Sequence, residues 1–350
     1  MRVENMNFEI DKHSLITPAL IKEHIGTLSD QIDADQLGDR QLELILILEM
    51  SRRSFANGEP AAEITDRLGE RLHALREKCA PEVWEHLVPV AQGHPLGEYI
   101  FQDPFTNWSF TKPRGYSGDA GLIDLLYHHE STREILAQST ELGRAIYAYT
   151  SNTPPCVAGR ERRDILAHTV DATAKRVCDG AEILAVACGH LREAELSEAL
   201  KAGTLKRWIA LDQDTESVEL VEKKHQNSLI TAINGSVSGL LRRSYKIGKF
   251  DLAYAAGLYD YLPRAVAIRL TQRLVEMLKV GGEFLFANFS DEVGTDGYME
   301  TFMNWQLIFR SEDDMWDIIN ASVDRNKVKA DVFFGENRYI CYAKLRKIAD

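Results

Sequence analysis

Glu182-Ile183-Leu184-Ala185-Val186-Ala187-Cys188-Gly189-His190-Leu191-Arg192-Glu193-Ala194-Glu195 is the stretch that decides the fold of this 350-residue chain. An apolar run breaks at a small-residue turn and continues as a polar, helix-compatible segment. A buried parallel strand that enters a ligand-binding loop and then a helix has this pattern. Arg207-Trp208-Ile209-Ala210-Leu211-Asp212 reads as a second strand ending in a carboxylate, 23 residues beyond Gly189. In nucleotide-binding α/β folds an acid at about that spacing takes the ribose hydroxyls. The two segments together point to a cofactor with an adenosine half. The competing reading of Asp212 is an acidic helix cap.

Downstream, the same alternation continues. Residues 229–233 form a short apolar run closed by Asn234-Gly235-Ser236, and residues 250–256 form another closed by Gly257. Val266, Ile268, Leu270, Leu274, Met277 and Leu278 recur at helical spacing, and Lys279-Val280-Gly281-Gly282 is expected to end that helix. Residues 283–289 read as a fifth strand. Residues 328–333 and 338–345 read as a closing pair around Gly335-Glu336-Asn337. Strands alternating with helices imply a parallel sheet covered on both faces.

This order resembles the class I S-adenosylmethionine (SAM)-dependent methyltransferases over roughly residues 155–346. The resemblance implies a Rossmann-like, seven-stranded α/β sheet with SAM as cofactor. Residues 183–195 match the motif for its methionine part, residues 210–213 the ribose motif, and residues 234–237 the adenine neighbourhood. The family commonly has an acid where Ala185 stands, and glycines where Ala187 and Leu191 stand. The G-x-G-x-x-G fingerprint of NAD enzymes is missing, which argues against an oxidoreductase. Residues 187–195, with Lys112-Pro113-Arg114-Gly115-Tyr116-Ser117-Gly118-Asp119 upstream, look like a bacterial methyltransferase group associated with 3-hydroxypalmitate methyl ester synthesis.

Composition agrees with a folded enzyme of two parts, residues 1–150 and 151–350. A net charge of −12 disfavours nonspecific binding of nucleic acid or an anionic membrane. There is no signal-peptide pattern and no apolar run of membrane-spanning length. The five cysteines are scattered without CxxC spacing, which fits free thiols in the cytoplasm, and no metal-ligand cluster is visible.

The first 150 residues read as helices. Residues 42–55 are apolar and unbroken, and residues 61–79 place Ile64, Leu68, Leu72 and Leu75 on one face. Residues 82–92, 119–129 and 131–149 are further helix candidates. These helices are expected to cover the active site, to form a homodimer interface, or both. Residues 104–119 read as a long aromatic and glycine-rich loop folded over the catalytic mouth, with Tyr116 near the methyl donor. Gly118-Asp119 has the simpler reading of a helix start.

Methyl transfer from a sulfonium is an in-line displacement, so the enzyme aligns the reactants and excludes water. The expected cofactor residues are Ala187, Gly189, Arg192, Glu193, Asp212, Gln213, Gly235, Ser236, Val237 and Gly257. Arg192 or Glu193 would hold the charged termini, against the plain reading of a surface salt bridge. Tyr259 and Asp260, with Tyr116, are the catalytic candidates, because the loop after the fourth strand faces the methyl group in this architecture. For Tyr259 and Tyr261, aromatic packing is the plain alternative, and Asp260 has helix capping as its own. Arg160, from the run 159–163, is expected on a carboxylate. Asn288, Tyr298 and Trp305 are expected to line the acceptor pocket. The expected activity is methylation of a small molecule, at the carboxylate of a hydroxy fatty acid or a natural-product intermediate. Methylation of an amine or hydroxyl, or a catalytically silent SAM-binding regulator, is the alternative. A carboxylate is already ionised and needs no base.

Overall fold

The computed structural model describes residues 34–350. Seven strands build one mixed sheet in the order β3-β2-β1-β4-β5-β7-β6. They are β1 (Ala181–Val186), β2 (Leu205–Asp212), β3 (Ile230–Asn234), β4 (Phe250–Ala255), β5 (Leu278–Phe289), β6 (Val328–Phe334) and β7 (Ile340–Lys347). The pairs among β1 to β5 are parallel, whereas β7 runs antiparallel to both β5 and β6. This is the seven-stranded, Rossmann-like α/β sheet with a closing strand pair that the sequence led one to expect. β1 and β4 are buried at every position, because helices cover both faces.

The order in which strands are added reverses between β1 and β4, which run parallel: β2 and β3 extend the sheet one way and β4 onward the other. A crevice opens outside the carboxyl ends of strands at such a point, and ligands of open α/β sheets bind there. The crossover after β1 is short. Only a single turn at Arg192–Glu195 and a four-residue helix at Glu198–Lys201 stand where a full helix was expected. The helix Pro154–Arg176 covers that face instead and buries Ala158, Arg162, Leu166 and Val170.

Two boundaries differ from the periodicity. The helix Arg264–Glu276 ends at a Met277 cap, and Gly281-Gly282 lie inside β5. Gly281 has φ +86°, and a Cβ on Gly282 would lie 2.8 Å from the Phe250 carbonyl oxygen. The glycines therefore form a strand irregularity, matching the register shift between β4 and β5. Residues 131–149 do not form one helix either: Arg133–Gln138 stops before Ser139, and Thr140 caps a new helix, Glu141–Thr150, by accepting from Gly143 N–H.

Before β1 the described chain is helical. Ala34–Ala56 buries Leu44, Ile47, Leu48 and Phe55 but leaves Leu42, Ile45, Leu46 and Met50 exposed. Ala61–Glu77 packs tightly on the helix Asp296–Thr301, where a Cβ on Gly297 would lie 2.4 Å from the Leu72 backbone. Ion pairs fix the contact: Arg76 bridges Asp296 (2.8 Å) and Glu300 (2.9 Å), and His73 Nδ1 lies 2.6 Å from Asp296. Among the described residues no helix is long and apolar enough to cross a membrane.

Candidate active site

A cavity lies at the carboxyl ends of β1, β2 and β4. Its floor is the turn after β1. Ala187, Gly189 and Leu191 all adopt left-handed backbone, with φ of 53°, 53° and 51°. Two of these three are not glycine. The loop keeps its shape by bearing the strain of L side chains, each costing about 1–2 kcal/mol in this region. Ala187→Gly is accordingly expected to raise stability by about 1 kcal/mol. Denaturant unfolding checks this, and a destabilised variant would show that the Ala187 methyl is needed for packing.

Asp212 ends β2 and organises this floor. Its Oδ2 accepts from Gly189 N–H (2.7 Å) and its Oδ1 from Asp214 N–H (2.9 Å). Burial pushes its pKa up, while those N–H groups pull it back down. Asp212 thus belongs to the cavity wall and is not the cap of the next helix. Asp214 takes that role, accepting from Glu216 N–H. Gln213, Gly235 and Val237 line the same end, as does Ser236, whose hydroxyl accepts from Gly239 N–H as a helix cap.

Over the cavity lies the segment 112–119. The first half of the expected loop is a helix instead, Pro104–Thr111, capped by Asp103 and ended by left-handed Lys112. Arg114 pairs with Asp214 (2.6 Å) and donates to Ser217 Oγ (2.9 Å) and His190 Nε2 (3.0 Å). The Tyr116 hydroxyl donates to the same Asp214 (3.0 Å). Burial and the neighbouring carboxylates hold its pKa far above the ordinary tyrosine value. Tyr116 therefore latches the segment at the β2 end, two strands away from β4, and its hydroxyl is not available as a catalytic group. Asp119 caps the helix Ala120–Leu126 and also accepts from Trp108 Nε1. Gly118 has φ +71°, and a Cβ there would lie 2.1 Å from the Tyr261 hydroxyl, so only glycine lets the segment settle on that ring.

Arg192 lies at the cavity, but its guanidinium is taken. It forks onto Asp124 (2.8 and 2.6 Å) and reaches Glu195 (2.9 Å). Arg192 and His190 hold Asp124 below the usual carboxylate range despite burial. Arg192 braces the wall and is not left over for a ligand. Glu193 differs. It is buried, accepts one hydrogen bond from Tyr254 (2.6 Å), and burial pushes its pKa up.

The arginine that faces the cavity is Arg162, not Arg160. Arg160 is spent on the carbonyls of Leu126 (2.8 Å) and Ser151 (2.7 Å) and on Asn152 (3.0 Å). Arg162 is buried and lines the cavity beside Gly257. Its Nη1 donates to the Ala256 carbonyl (2.8 Å), and its Nε has no hydrogen-bond partner. Helical phase distinguishes the two: Arg162 lies four residues from both Ala158 and Leu166 on the buried stripe.

At the β4 end, Asp260 is buried and lines the cavity. One carboxyl oxygen accepts from Phe289 N–H (2.6 Å). Burial raises its pKa to about 6, against the pull of Arg162, that N–H group and Arg310. Tyr259 is a correction. It turns to the other side of the sheet, stacks on Phe286 at 4.2 Å and bonds Thr271 (2.8 Å). Tyr261 faces the cavity instead, and its hydroxyl accepts from Trp305 Nε1 (2.7 Å). Asn288 also departs from the expectation. It is fully buried away from the cavity, donating to the carbonyls of Phe289 and Ile308 (2.8 Å each) and accepting from Arg310. Tyr298 and Trp305 line an adjoining apolar cavity. No group of metal-ligating side chains occurs among the described residues.

No family model and no curated protein matches the chain. Among solved structures it is similar to a possible exported protein from Bordetella parapertussis, with 14% identity and a TM-score of 0.52, over 89% of this chain and 97% of that one. The likeness is one of fold and covers most of both chains. Others are the N-methyltransferase NodS from Bradyrhizobium japonicum in complex with S-adenosyl-L-homocysteine (17% identity, 65% of this chain, 100% of that one, TM-score 0.40) and magnesium protoporphyrin IX methyltransferase from Synechocystis with bound SAM (12%, 56%, 84%, 0.38).

Proposed function

We propose that this cavity binds S-adenosylmethionine and that the chain transfers its methyl group to a small molecule. The carrying observation is Arg162, a buried guanidinium that lines the cavity beside Gly257 and the Ala256 carbonyl. A guanidinium in a cavity wall suits an anionic ligand, and an amino-acid carboxylate matches its fork. Glu193, the buried carboxylate of the same wall, suits the ammonium. Asp212 retains lone pairs for ribose hydroxyls, and Gly235, Ser236 and Val237 border the adenine. Bound there, SAM supplies an electrophilic methyl on a sulfonium.

The chain's own contribution is alignment, dryness and a proton acceptor. Arg114 and Tyr116 latch segment 112–119 over the cavity, which keeps water out. Asp260, with a pKa raised to about 6, is ionised at neutral pH and placed to take a proton. This favours an acceptor with a proton to lose, an amine or a hydroxyl. The fatty-acid carboxylate that the resemblance implied would place a second anion beside Asp260, which like-charge repulsion opposes. The helices of residues 34–150 serve as the acceptor-side cover. A silent SAM-binding regulator has no use for a buried carboxyl poised in this way. Incubation with SAM labelled at the methyl and a panel of amines, alcohols and carboxylic acids tests the reading. Label is expected in an amine or alcohol, and label only in esters would contradict it.

A further inference from the structure

A second cavity, of about 50 Å³, lies against the first. Leu126, Phe289 and Trp305 are walls of both. The second is lined chiefly by Phe105, Tyr298, Met299, Met303 and Trp305, from the helical half and from the segment after β5. Five hydroxyls in its wall are engaged elsewhere, Thr65 on Ala61 O, Thr150 on Asp103, Thr153 on Thr150 O, Tyr149 on Asp66 and Tyr298 with Thr106, while Thr295 donates to the Met299 sulfur within the wall. A water molecule would find few of the two to four polar partners it needs, so the space suits an apolar group.

Gly69 gives access to this cavity by substitution. It lies within the helix Ala61–Glu77 and lines this cavity. Glycine in a helix interior costs about 0.5–1 kcal/mol relative to alanine. A close approach would justify it, as at Gly297 on Leu72, but nothing lies within 4 Å of a Cβ built on Gly69. Its φ is not in the left-handed region either. A larger residue at Gly69 has open space to enter and stands in the cavity lining, which makes this position a probe of the cavity.

We propose that this cavity receives the apolar end of the methyl acceptor, and that the acceptor is an amine or alcohol carrying a compact apolar group. The volume is below the roughly 150 Å³ that takes a benzene ring, so the group has a few carbons and is not a long chain. The acceptor would lie across the Trp305 wall with its nucleophile on the Asp260 side. This rests on the methyltransferase reading above.

The test uses the full chain with n-alkylamines from ethyl to octyl as probes, followed by the rise in thermal midpoint that native-state binding produces. The rise is expected to peak at propyl or butyl. Gly69→Leu should weaken propylamine about tenfold (about 1.4 kcal/mol). Gly69→Ala should weaken it less while melting higher than the parent without ligand, and it carries the test if the leucine variant does not fold. A rise that grows steadily to octyl, or one indifferent to both substitutions, would overturn the proposal. SAM titration of the same samples separates the two readings: lost SAM binding with the propyl optimum intact refutes the methyltransferase and leaves the apolar subsite standing.

Discussion

Asp260→Asn is expected to lower kcat by about 10²–10⁴-fold, the usual contribution of a positioned base, with little change in SAM affinity. The wild-type rate should rise with pH through about 6, because Asp260 acts only when ionised. The variant's residual rate should lack that step. Stability should move the opposite way. A carboxyl whose folded pKa lies near 6, against 3.8 unperturbed, contributes stability below pH 4 that is lost as pH rises through 6. Asparagine carries no such cost, so the variant should be more stable at pH 7.5, by about 2 kcal/mol, and no more stable at pH 4. Steady-state kinetics and melting at the two pH values check both halves. Full activity in Asp260→Asn would remove the base and restore the carboxylate acceptor.

Arg162→Leu is expected to weaken SAM about 100-fold, the loss of charge-assisted hydrogen bonds to a carboxylate. Decarboxylated SAM lacks that carboxylate and should bind parent and variant alike. The thermal midpoint should fall as well, because buried Asp260 loses a neighbouring cation and the Ala256 carbonyl its donor, so affinity is compared at a temperature where both proteins are folded. Calorimetric titration with both ligands decides the matter. If both weaken equally, Arg162 shapes the cavity and does not hold the carboxylate.

Most of the sheet was legible because its strands are short apolar runs closed by turn residues. β1 to β4 and the closing pair fall within a residue or two of where periodicity puts them. The glycines at 281 and 282 misled because a strand irregularity and a helix end use the same residue for different reasons. The short crossover after β1 was hidden, since Arg192-Glu193-Ala194-Glu195 suits a helix that the left-handed Leu191 and the packing of Pro154–Arg176 leave no need for.

The site was less legible than the fold. Asp212 and Asp260 follow from their place at strand ends. Tyr259 and Tyr261 are two residues apart in a tight turn, and only tertiary packing says which ring faces the cavity. Arg162 was within reach of helical phase, as the position in step with Ala158 and Leu166. Asp124 was not. A single acid in the apolar helix Ala120–Leu126 gives no sign that Arg192 and His190 will close on it.

The most direct measurement is calorimetric titration of the purified, ligand-stripped chain with SAM, with NADH as the control. The cavity described here predicts one site of micromolar affinity for SAM and none for NADH. Absence of SAM binding, or binding of NADH in its place, would contradict the assignment of the β1–β4 crevice.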